Sequence, residues 1–355
     1  MHNERIEKVR GVCELPLLVT DHHHIFYLTG FSGSAGRLLI TRDGAFLFVD
    51  ARYYEHAAAT VPSAKAVLIS GDYDVGIARF LSGNGVGKVS LDNGVSIRSG
   101  ESFTEACTPG IAVAFVDDCI KQFREVKDNA ERALIKENLL LAETAFTRTL
   151  AFVKEDMTEK ELAAELDYRM RSEGGDASSF ETIVLFGVRT SMPHGVPSDA
   201  RLTRGDMVLI DFGMRRNGYC TDTTRTFFFG KGRSYAKLAK LYDAVREAQE
   251  AGIAAAATNA RAADVDAAAR SVLAAHKLGA YFGHGLGHGV GVEIHEAPTV
   301  SERGGIAALK GGSVVTIEPG VYIPGTGGIR IENMVIVTKN GGASINTTPA
   351  DRIVL

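Results

Sequence analysis

Four carboxylates each end an apolar stretch of the sequence, and they fall into two pairs. The stretch MVLID ends on Asp211, the turn sequence RRNG follows, and the return segment YCTD ends on Asp222. The pattern recurs with VVTIE, which ends on Glu318, and with IRIE, which ends on Glu332 after a glycine-rich turn. A turn between two apolar segments predicts a β-hairpin, so each hairpin would bring its two carboxylates close together.

Taken singly, each of these carboxylates is as readily explained by a strand edge in water or by a buried ion pair. All four together are harder to explain in that way, because converging buried carboxylates repel one another and take up protons unless cations offset their charge. A pair of divalent ions would balance the charge of the four ionised side chains. If the four side chains meet, the sequence therefore predicts a dinuclear metal site.

Histidines are concentrated in one glycine-rich segment, FGHGLGHGVGVEIHEAP. It contains His284, His288 and His295, three of the ten histidines in the chain. The glycines between them leave little side-chain bulk and would let the backbone approach a ligand closely. Imidazole is a good ligand for zinc, manganese or cobalt, which favours a metal site over a flexible turn with incidental histidines. His194, in the sequence MPHG, is on its own as compatible with a surface loop as with a functional site.

Other motifs in the sequence are weaker. The three consecutive histidines at residues 22–24 do not aim their rings at one point, and they favour a solvated loop or a strand edge. The triplet DFG at residues 211–213 is found in kinases, but the chain has no His-Arg-Asp catalytic loop to accompany it. The glycines at residues 283–291 do not give GxGxxG in register, so a dinucleotide site is not predicted.

The first part of the chain, residues 1–122, alternates short strand patterns with helical ones and predicts an α/β domain. A β-hairpin is expected at residues 37–49 and a helix at residues 52–59, and buried strands are expected at 66–69 and 88–91.

The second part, residues 123–355, begins with a polar stretch that is typical of a domain junction. Thr158 and Glu161 form a capping box at the start of a helix. Helical spacing predicts helices at residues 130–153, 158–172, 234–257 and 263–276. Strands are predicted at residues 207–214, 219–229, 314–317 and 329–337. This order of elements predicts an α+β domain with a mostly antiparallel sheet.

Composition excludes several classes of partner. The net charge of −4, from 39 basic and 43 acidic residues, gives no electrostatic reason to bind nucleic acid or an anionic membrane. The N-terminus lacks the apolar core of a signal peptide, and no segment has the length of apolar sequence that a transmembrane helix needs. The four cysteines have no CxxC pair and are interpreted as reduced thiols, so we expect a cytoplasmic protein.

The acidic and histidine motifs, taken in order along the chain, resemble those of the pita-bread metallopeptidases. That family includes Xaa-Pro dipeptidase (prolidase), aminopeptidase P and methionine aminopeptidase. The stretch YLTGFSGSAG at residues 27–36 and DARY at residues 50–53 resemble the creatinase-type N-terminal domain, which methionine aminopeptidases lack. The resemblance therefore covers nearly the whole chain, is nearest to bacterial prolidases, and implies a curved pita-bread sheet in residues 123–355.

The resemblance implies a metal site with defined ligand roles. Two divalent ions per chain, Mn²⁺, Co²⁺ or Zn²⁺, would be held by five side chains. Asp211 would bind one ion, His288 and Glu318 mainly the other, and Asp222 and Glu332 would bridge both.

It also implies roles in the hydrolysis of proline-containing dipeptides or short peptides. Glu318 would accept the proton of the attacking water and pass it to the leaving proline nitrogen. His194 and His295 match histidines that hold the substrate carbonyl and the tetrahedral intermediate. His284 and Arg330 match residues that line the site and bind substrate. The family's dimeric habit implies a homodimer.

The chain departs from the family pattern in two places. Asn333 follows the last ligand glutamate where many members have aspartate. Thr299 stands where some prolidases place the arginine that holds the dipeptide carboxylate, so a dipeptidase would need another cation, for which Arg37 or Arg52 is a candidate. The alternatives are therefore aminopeptidase P acting on longer peptides, a metal-independent creatinase, and a non-enzymatic interaction protein of the same fold. The complete set of ligand motifs favours the peptidases.

Overall fold

The computed structural model describes residues 2–92 and 94–355. The chain divides into two compact units, one up to Arg124 and the other from Glu125 to Leu355, and each is described by itself. Within the described residues, every helix is either too short or too polar to span a bilayer.

The first unit is a mixed sheet flanked by helices. Its helices are α1 (His2–Val12), α2 (His22–Thr29), α3 (Tyr54–Thr60), α4 (Tyr73–Gly83), α5 (Ile97–Cys107) and α6 (Lys121–Glu125). Its strands are β1 (Leu17–Val19), β2 (Arg37–Ile40), β3 (Ala45–Val49), β4 (Lys65–Leu68), β5 (Lys88–Asp92) and β6 (Ala112–Val116). The strand order is β4-β3-β2-β1-β5-β6, with parallel pairs β3–β4, β1–β5 and β5–β6. The expected α/β architecture is confirmed.

The strands predicted in this unit are confirmed, but the predicted burial of one of them is not. Strands β2 and β3 form the expected antiparallel hairpin, with Arg37 opposite Phe48. The expected strand near residues 66–69 exists as β4, but it lies at the edge of the sheet and is partly exposed, so its predicted burial is wrong. Strand β5 lies between β1 and β6 and is buried from Val89 onward, as expected. An apolar run alone does not distinguish an edge strand from a central one.

The histidine run near the N-terminus is helical, so the expected solvated loop is wrong. Asp21 caps α2, because its side chain accepts a hydrogen bond from the backbone N–H of His24 at 2.8 Å. His24 itself is only 4% exposed. Its Nε2 lies 2.9 Å from Asp118 Oδ2, and its Nδ1 accepts from Arg124 at 3.1 Å. Both ring nitrogens are therefore engaged within the protein.

The expectation of four reduced thiols is wrong for one pair. Cys13 and Cys119 form a disulfide, with Cα atoms 5.8 Å apart. Their sequence separation of 106 residues left no local spacing signal for the pairing. Cys107 and Cys220 are free and buried.

The second unit combines long helices with antiparallel strands. Its helices are α7 (Asn129–Leu150), α8 (Glu159–Ser172), α9 (Tyr235–Ala255) and α10 (Ala262–Ala275). Its first strands are β7 (Ala177–Ser178), β8 (Ile183–Phe186), β9 (Met207–Phe212), β10 (Met214–Arg216), β11 (Tyr219–Cys220) and β12 (Thr223–Phe228). The later strands are β13 (Gly287–Gly289), β14 (Glu296–Val300), β15 (Val314–Ile317), β16 (Gly320–Ile323), β17 (Gly327–Arg330), β18 (Asn333–Thr338) and β19 (Gly341–Ser344).

These strands pair antiparallel throughout the named ladders, which confirms the α+β prediction. The sheets have the orders β11-β10-β7, β12-β9-β8, β14-β13-β15-β18-β19 and β16-β17. The four predicted helices are confirmed within a few residues. The capping box at α8 is also confirmed, since Thr158 and Glu161 each accept a backbone N–H from the other.

The long strands predicted around the carboxylates are interrupted. Residues 207–214 divide into β9 and β10, and residues 219–229 divide into β11 and β12. At the first break, a Cβ on Gly213 would lie 2.0 Å from the carbonyl oxygen of Thr221, so only glycine permits the two strands to approach there. Residues 329–337 divide in the same way. The hairpins therefore change sheet partners at the carboxylates rather than running straight past them.

Candidate metal centre

Three of the candidate carboxylates cluster where these strands break. Asp211 lies in β9, Asp222 immediately precedes β12, and Glu332 immediately precedes β18. One carboxylate oxygen from each lies within 4.8 Å of the others. Asp222 is 5% exposed and Glu332 is 1% exposed, so the cluster is screened poorly by water.

The other two candidates complete the group from a different sheet. His288 is on β13 and Glu318 directly follows β15, its neighbour in that sheet. His288 Nε2 lies 3.5 Å from Asp222 Oδ2 and 3.5 Å from Glu318 Oε1. The structure thus brings all five side chains together in two overlapping groupings. One consists of Asp211, Asp222 and Glu332, and the other of His288, Asp222 and Glu318, so Asp222 belongs to both.

Two buried carboxylate oxygens in this cluster point to a bound cation. Within the described part of the chain, Asp211 Oδ1 and Glu332 Oε1 are buried and have no hydrogen-bond partner. A buried polar atom without a partner is costly, and an ionised oxygen more so. Four carboxylates and one imidazole are a donor set suited to manganese, cobalt or zinc. The residues present therefore fit a divalent metal centre.

The protonation of the carboxylates supports the same interpretation. Burial, followed by the charges of Glu332, Asp211 and Glu318, raises the pKa of Asp222 well above its usual value. Burial and the neighbouring carboxylates raise the pKa of Glu332 in the same way. Burial also raises the pKa of Glu318 to about 8. Without a cation, this cluster retains protons at neutral pH.

His288 is prepared as a neutral ligand. Burial, with a smaller effect of His295, lowers the pKa of His288 to about 4. Its Nδ1 lies 3.1 Å from the carbonyl oxygen of Gly289, which can only accept, so Nδ1 carries the proton. The lone pair of Nε2 is then directed towards Asp222 and Glu318.

Two threonines that the sequence analysis did not single out orient the cluster. Thr224 Oγ1 donates to Glu332 Oε2 at 2.8 Å. Thr316 Oγ1 donates to Glu318 Oε1 at 3.2 Å and accepts from the backbone N–H of His288 at 3.0 Å. Each threonine lies two residues from a candidate carboxylate along the chain. Because side chains in a strand alternate, that spacing was the signal that could have identified them.

Two of the glycines around His288 are needed for strand packing. A Cβ on Gly287 would lie 2.0 Å from the carbonyl oxygen of Thr316, and one on Gly289 would lie 2.2 Å from that of Ala297. Strand β13 therefore fits between its neighbours only because these positions have no side chain.

Arg330 is buried behind the cluster and is already heavily bonded. It is 2% exposed and donates to Asp211 Oδ2 at 2.6 Å. It also donates to Thr224 Oγ1, to the carbonyl oxygen of Pro193 and to the hydroxyl of Tyr322. One of the five guanidinium N–H groups is left, so Arg330 mainly orients Asp211, and direct substrate binding by it stays a prediction.

Tyr322, a third residue not anticipated from the sequence, joins His284 to Arg330. His284 Nδ1 lies 2.8 Å from the carbonyl oxygen of Gly285 and so carries the proton. Its Nε2 accepts from the Tyr322 hydroxyl at 3.0 Å. Burial lowers the pKa of His284 to about 4, so the ring is neutral.

His194 and His295 lie at the open side of the site. Both line a cavity of about 980 Å³ that also reaches the five clustered side chains and Arg330. The rings of His288 and His295 are 4.2 Å apart between centroids. Burial, followed by the charge of His194, lowers the pKa of His295. The volume is in the range of small-ligand sites.

Asn333, which stands where many family members have aspartate, is hydrogen-bonded through both ends of its amide. Its Oδ1 accepts a hydrogen bond from Arg225 Nη2 at 3.0 Å, and its Nδ2 donates one to Ser344 Oγ at 2.9 Å. Arg225 also donates to the backbone carbonyl oxygen of Glu332. The amide therefore helps to fix the backbone beside the last candidate ligand.

A second group of metal-binding side chain types, His24, Asp92 and Asp118, lies in the first unit. Because Arg124 donates to His24 Nδ1, Nε2 carries the proton and donates to Asp118. No imidazole lone pair is left for an ion, and we assign no metal site there.

Metal binding is expected to release protons at about pH 7, and its apparent affinity is expected to rise as pH rises towards about 8. Cations bind the ionised carboxylate, whereas burial holds protons on Glu318, Asp222 and Glu332. Titration calorimetry of the metal-free protein with Mn²⁺, in buffers of different ionisation enthalpy, measures the number of protons released. Binding heats that are independent of the buffer would contradict this expectation.

The sequence matches two described protein-domain families. Residues 133–339 match metallopeptidase family M24, and residues 16–126 match the creatinase/prolidase N-terminal domain. The chain is 37% identical over 340 residues to the uncharacterized peptidase YqhT of Bacillus subtilis, covering 96% of this chain and 95% of that protein. It is 32% identical over 358 residues to an Xaa-Pro dipeptidase of Pyrococcus horikoshii, covering 99% of each.

Solved structures agree over the same extent. An Xaa-Pro dipeptidase from Bacillus anthracis superimposes with a TM-score of 0.94 at 34% identity and covers 100% of both chains. An X-Pro aminopeptidase from Thermotoga maritima superimposes with a TM-score of 0.89 at 33% identity, covering 96% of this chain and 97% of that one. The likeness includes both units of the chain.

Proposed function

Because the chain belongs to metallopeptidase family M24, we propose that it hydrolyses the Xaa-Pro bond at the N-terminus of short peptides, chiefly Xaa-Pro dipeptides. It is a metallopeptidase with the two-domain pita-bread fold and a creatinase/prolidase N-terminal domain. The observation that carries the proposal is the meeting of five ligand-type side chains, with two buried oxygens that lack partners in the described part of the chain. Relatives named Xaa-Pro dipeptidase that align over nearly the whole chain support the choice of substrate.

Two divalent ions per chain, Mn²⁺, Co²⁺ or Zn²⁺, are proposed as the cofactors. Asp211 would hold one ion, His288 and Glu318 the other, and Asp222 and Glu332 both. The position of Asp222 in both groupings supports a bridging role. When bound, such ions lower the pKa of water and polarise a carbonyl group.

Glu318 is proposed to move the proton between the water and the leaving nitrogen. Glu318 lines the cavity that would hold the substrate, so its carboxylate faces the space in which the water and the peptide would react. Thr316 donates to its Oε1, which fixes the carboxylate in one orientation.

His194 and His295 are proposed to donate hydrogen bonds to the substrate carbonyl oxygen and to the developing oxyanion. Both side chains line the cavity, and both are exposed, so their ring nitrogens can reach a bound substrate. His284 and Arg330 are proposed to line the substrate site, with Arg330 holding Asp211 in place. The apolar side chains of Phe180, Val196 and Ile294 in the same cavity suit a prolyl ring.

Further assignments complete the proposal. The creatinase-like domain would comprise residues 1–122 and the catalytic domain residues 123–355. The protein would act as a homodimer in the cytoplasm, on proline-containing dipeptides and short peptides.

A substrate and metal panel tests the activity. The protein loaded with Mn²⁺, Co²⁺ or Zn²⁺ should cleave Xaa-Pro with a kcat/KM roughly tenfold or more above that for Xaa-Pro-Yaa. Side chains positioned to bind the end of a dipeptide would not find the same groups in a longer peptide. Chelation should remove the activity and added metal should restore it. A preference for Xaa-Pro-Yaa would assign an aminopeptidase P instead, and full activity of metal-free protein would contradict the metallopeptidase chemistry. A metal-loaded protein that cleaves no peptide would favour a binding role.

A further inference from the structure

Three arginines line the cavity, and they differ in how many of their donors are already used. Arg330 is buried and bonded to Asp211, as described above. Arg270 is ion-paired through both Nε and Nη2 with Asp266, and it donates to two backbone carbonyl oxygens. Arg303 has no hydrogen bond or ion pair with any described residue, and it is exposed. Arg303 is therefore the cavity arginine with a guanidinium available to a ligand.

The local fold holds Arg303 close to strand β14, the neighbour of the strand that carries His288. Arg303 lies in the short 3-10 turn Glu302–Gly304, whose first turn is capped by Ser301, since Ser301 Oγ accepts from the backbone N–H of Gly304 at 3.2 Å. A Cβ on Gly304 would lie 2.3 Å from the carbonyl oxygen of Thr299. The turn therefore folds back onto the end of strand β14.

That strand end is directly opposite the candidate ligand histidine. Thr299 pairs with His288 in the antiparallel register of β13 and β14. Cα atoms paired in this way are about 4.5–5.5 Å apart. In an Xaa-Pro dipeptide the carboxylate is about one residue, roughly 3.8 Å, beyond the scissile bond. A substrate whose scissile carbonyl lies at the metal cluster thus has its carboxylate within reach of the turn.

We propose that Arg303 binds the C-terminal carboxylate of the substrate and thereby selects Xaa-Pro dipeptides. This rests on the proposed function and replaces the earlier candidates of the first unit. Arg52 is bound through Nε and Nη2 to Asp50. Arg37 donates to the carbonyl oxygen of Gly36. A guanidinium matches a carboxylate with two parallel N–H donors, which an amide or a further peptide bond cannot accept equally well.

The experiment compares one dipeptide with its C-terminal amide. The metal-loaded wild type should cleave Xaa-Pro with a KM roughly tenfold lower than that for Xaa-Pro-amide. Arg303→Gln should raise the KM for Xaa-Pro roughly tenfold, leave that for the amide unchanged, and alter kcat little in both. Arg303→Lys should recover part of the preference, because the charge is kept without the paired donors.

Arg261→Gln is the matched control. It removes the same charge from an exposed arginine of the same unit that is already ion-paired with Asp264. It should leave both KM values unchanged. The proposal is overturned if Arg303→Gln leaves the ratio of the two KM values as in the wild type, or if the wild type does not distinguish acid from amide while cleaving both. Failure of the wild type to cleave either substrate would instead overturn the proposed function, and this proposal with it.

Discussion

Replacing Asp222 by asparagine is expected to lower kcat/KM for an Xaa-Pro dipeptide by about a thousandfold or more. Asp222 belongs to the carboxylate cluster with Asp211 and Glu332, and it also faces His288 at 3.5 Å. This position supports the proposed role of Asp222 as a ligand of both ions. The amide is neutral and binds divalent ions weakly, so metal content by mass spectrometry should fall together with the activity.

The same substitution is expected to stabilise the metal-free protein. The pKa of Asp222 is raised in the folded state by burial and by Glu332, Asp211 and Glu318. A raised pKa means that the unfavourable contribution of this group appears as pH rises above its unfolded-state value, about 3.9. At about pH 8 the metal-free variant should therefore unfold at a higher temperature than metal-free wild type, and added metal should raise its Tm much less.

Asp264→Asn provides the control for both measurements. Asp264 is exposed and ion-paired with Arg261, so its replacement should change neither the activity nor the effect of metal on Tm. An Asp222→Asn variant that binds metal and hydrolyses the dipeptide like wild type would show that this carboxylate is not a ligand.

The candidate site could be anticipated because its signals are local. Each carboxylate follows an apolar run within a few residues, and a turn sequence joins the members of each pair. Hairpin geometry then places Asp211 near Asp222 without knowledge of the rest of the fold. The capping box of Thr158 and Glu161 was predictable for the same reason, since both partners lie within one helical turn.

Features that depend on contacts between distant segments were not anticipated. Tyr322 reaches both His284 and Arg330, but nothing in the sequence around it differs from an ordinary strand residue. The pairing of Cys13 with Cys119 joins positions that are 106 residues apart. The strand breaks at the carboxylates arise where two backbones approach closely, as at Gly213, and an apolar pattern contains no information about that approach. Pattern reasoning thus located the candidate ligands better than the groups that orient them.

Lys127→Met is expected to destabilise the second unit by about 3–5 kcal/mol. Lys127 Nζ lies 2.6 Å from Glu296 Oε1, and the two side chains are 1% and 4% exposed. Methionine removes the cation and leaves a buried carboxylate without it, and that charge is costly in a medium of low dielectric constant. A Cβ on Gly291 would lie 2.4 Å from Glu296 Oε1 and 2.9 Å from Lys127 Cε. The ion pair therefore packs directly against the backbone of Gly291, where a larger residue would not fit.

The effect should extend to the catalytic site. Glu296 follows His295 directly, and it is paired with Gly289 in the register of β13 and β14. A displaced Glu296 would disturb both the proposed oxyanion histidine and the strand that carries His288. Urea unfolding of metal-free protein, together with kcat for the dipeptide, measures the two consequences separately.

A matched control and a double variant separate burial from charge. Lys310→Met makes the same chemical change at an ion pair with Glu125 in which the lysine is 50% exposed, and it should cost less than about 1 kcal/mol. Adding Glu296→Gln to Lys127→Met should recover most of the lost stability, because the uncompensated charge is then gone. If Lys127→Met and Lys310→Met lower the free energy of unfolding and kcat equally, the buried ion pair does not hold strand β14 in place. The position of His295 would then depend on the loop that precedes the strand.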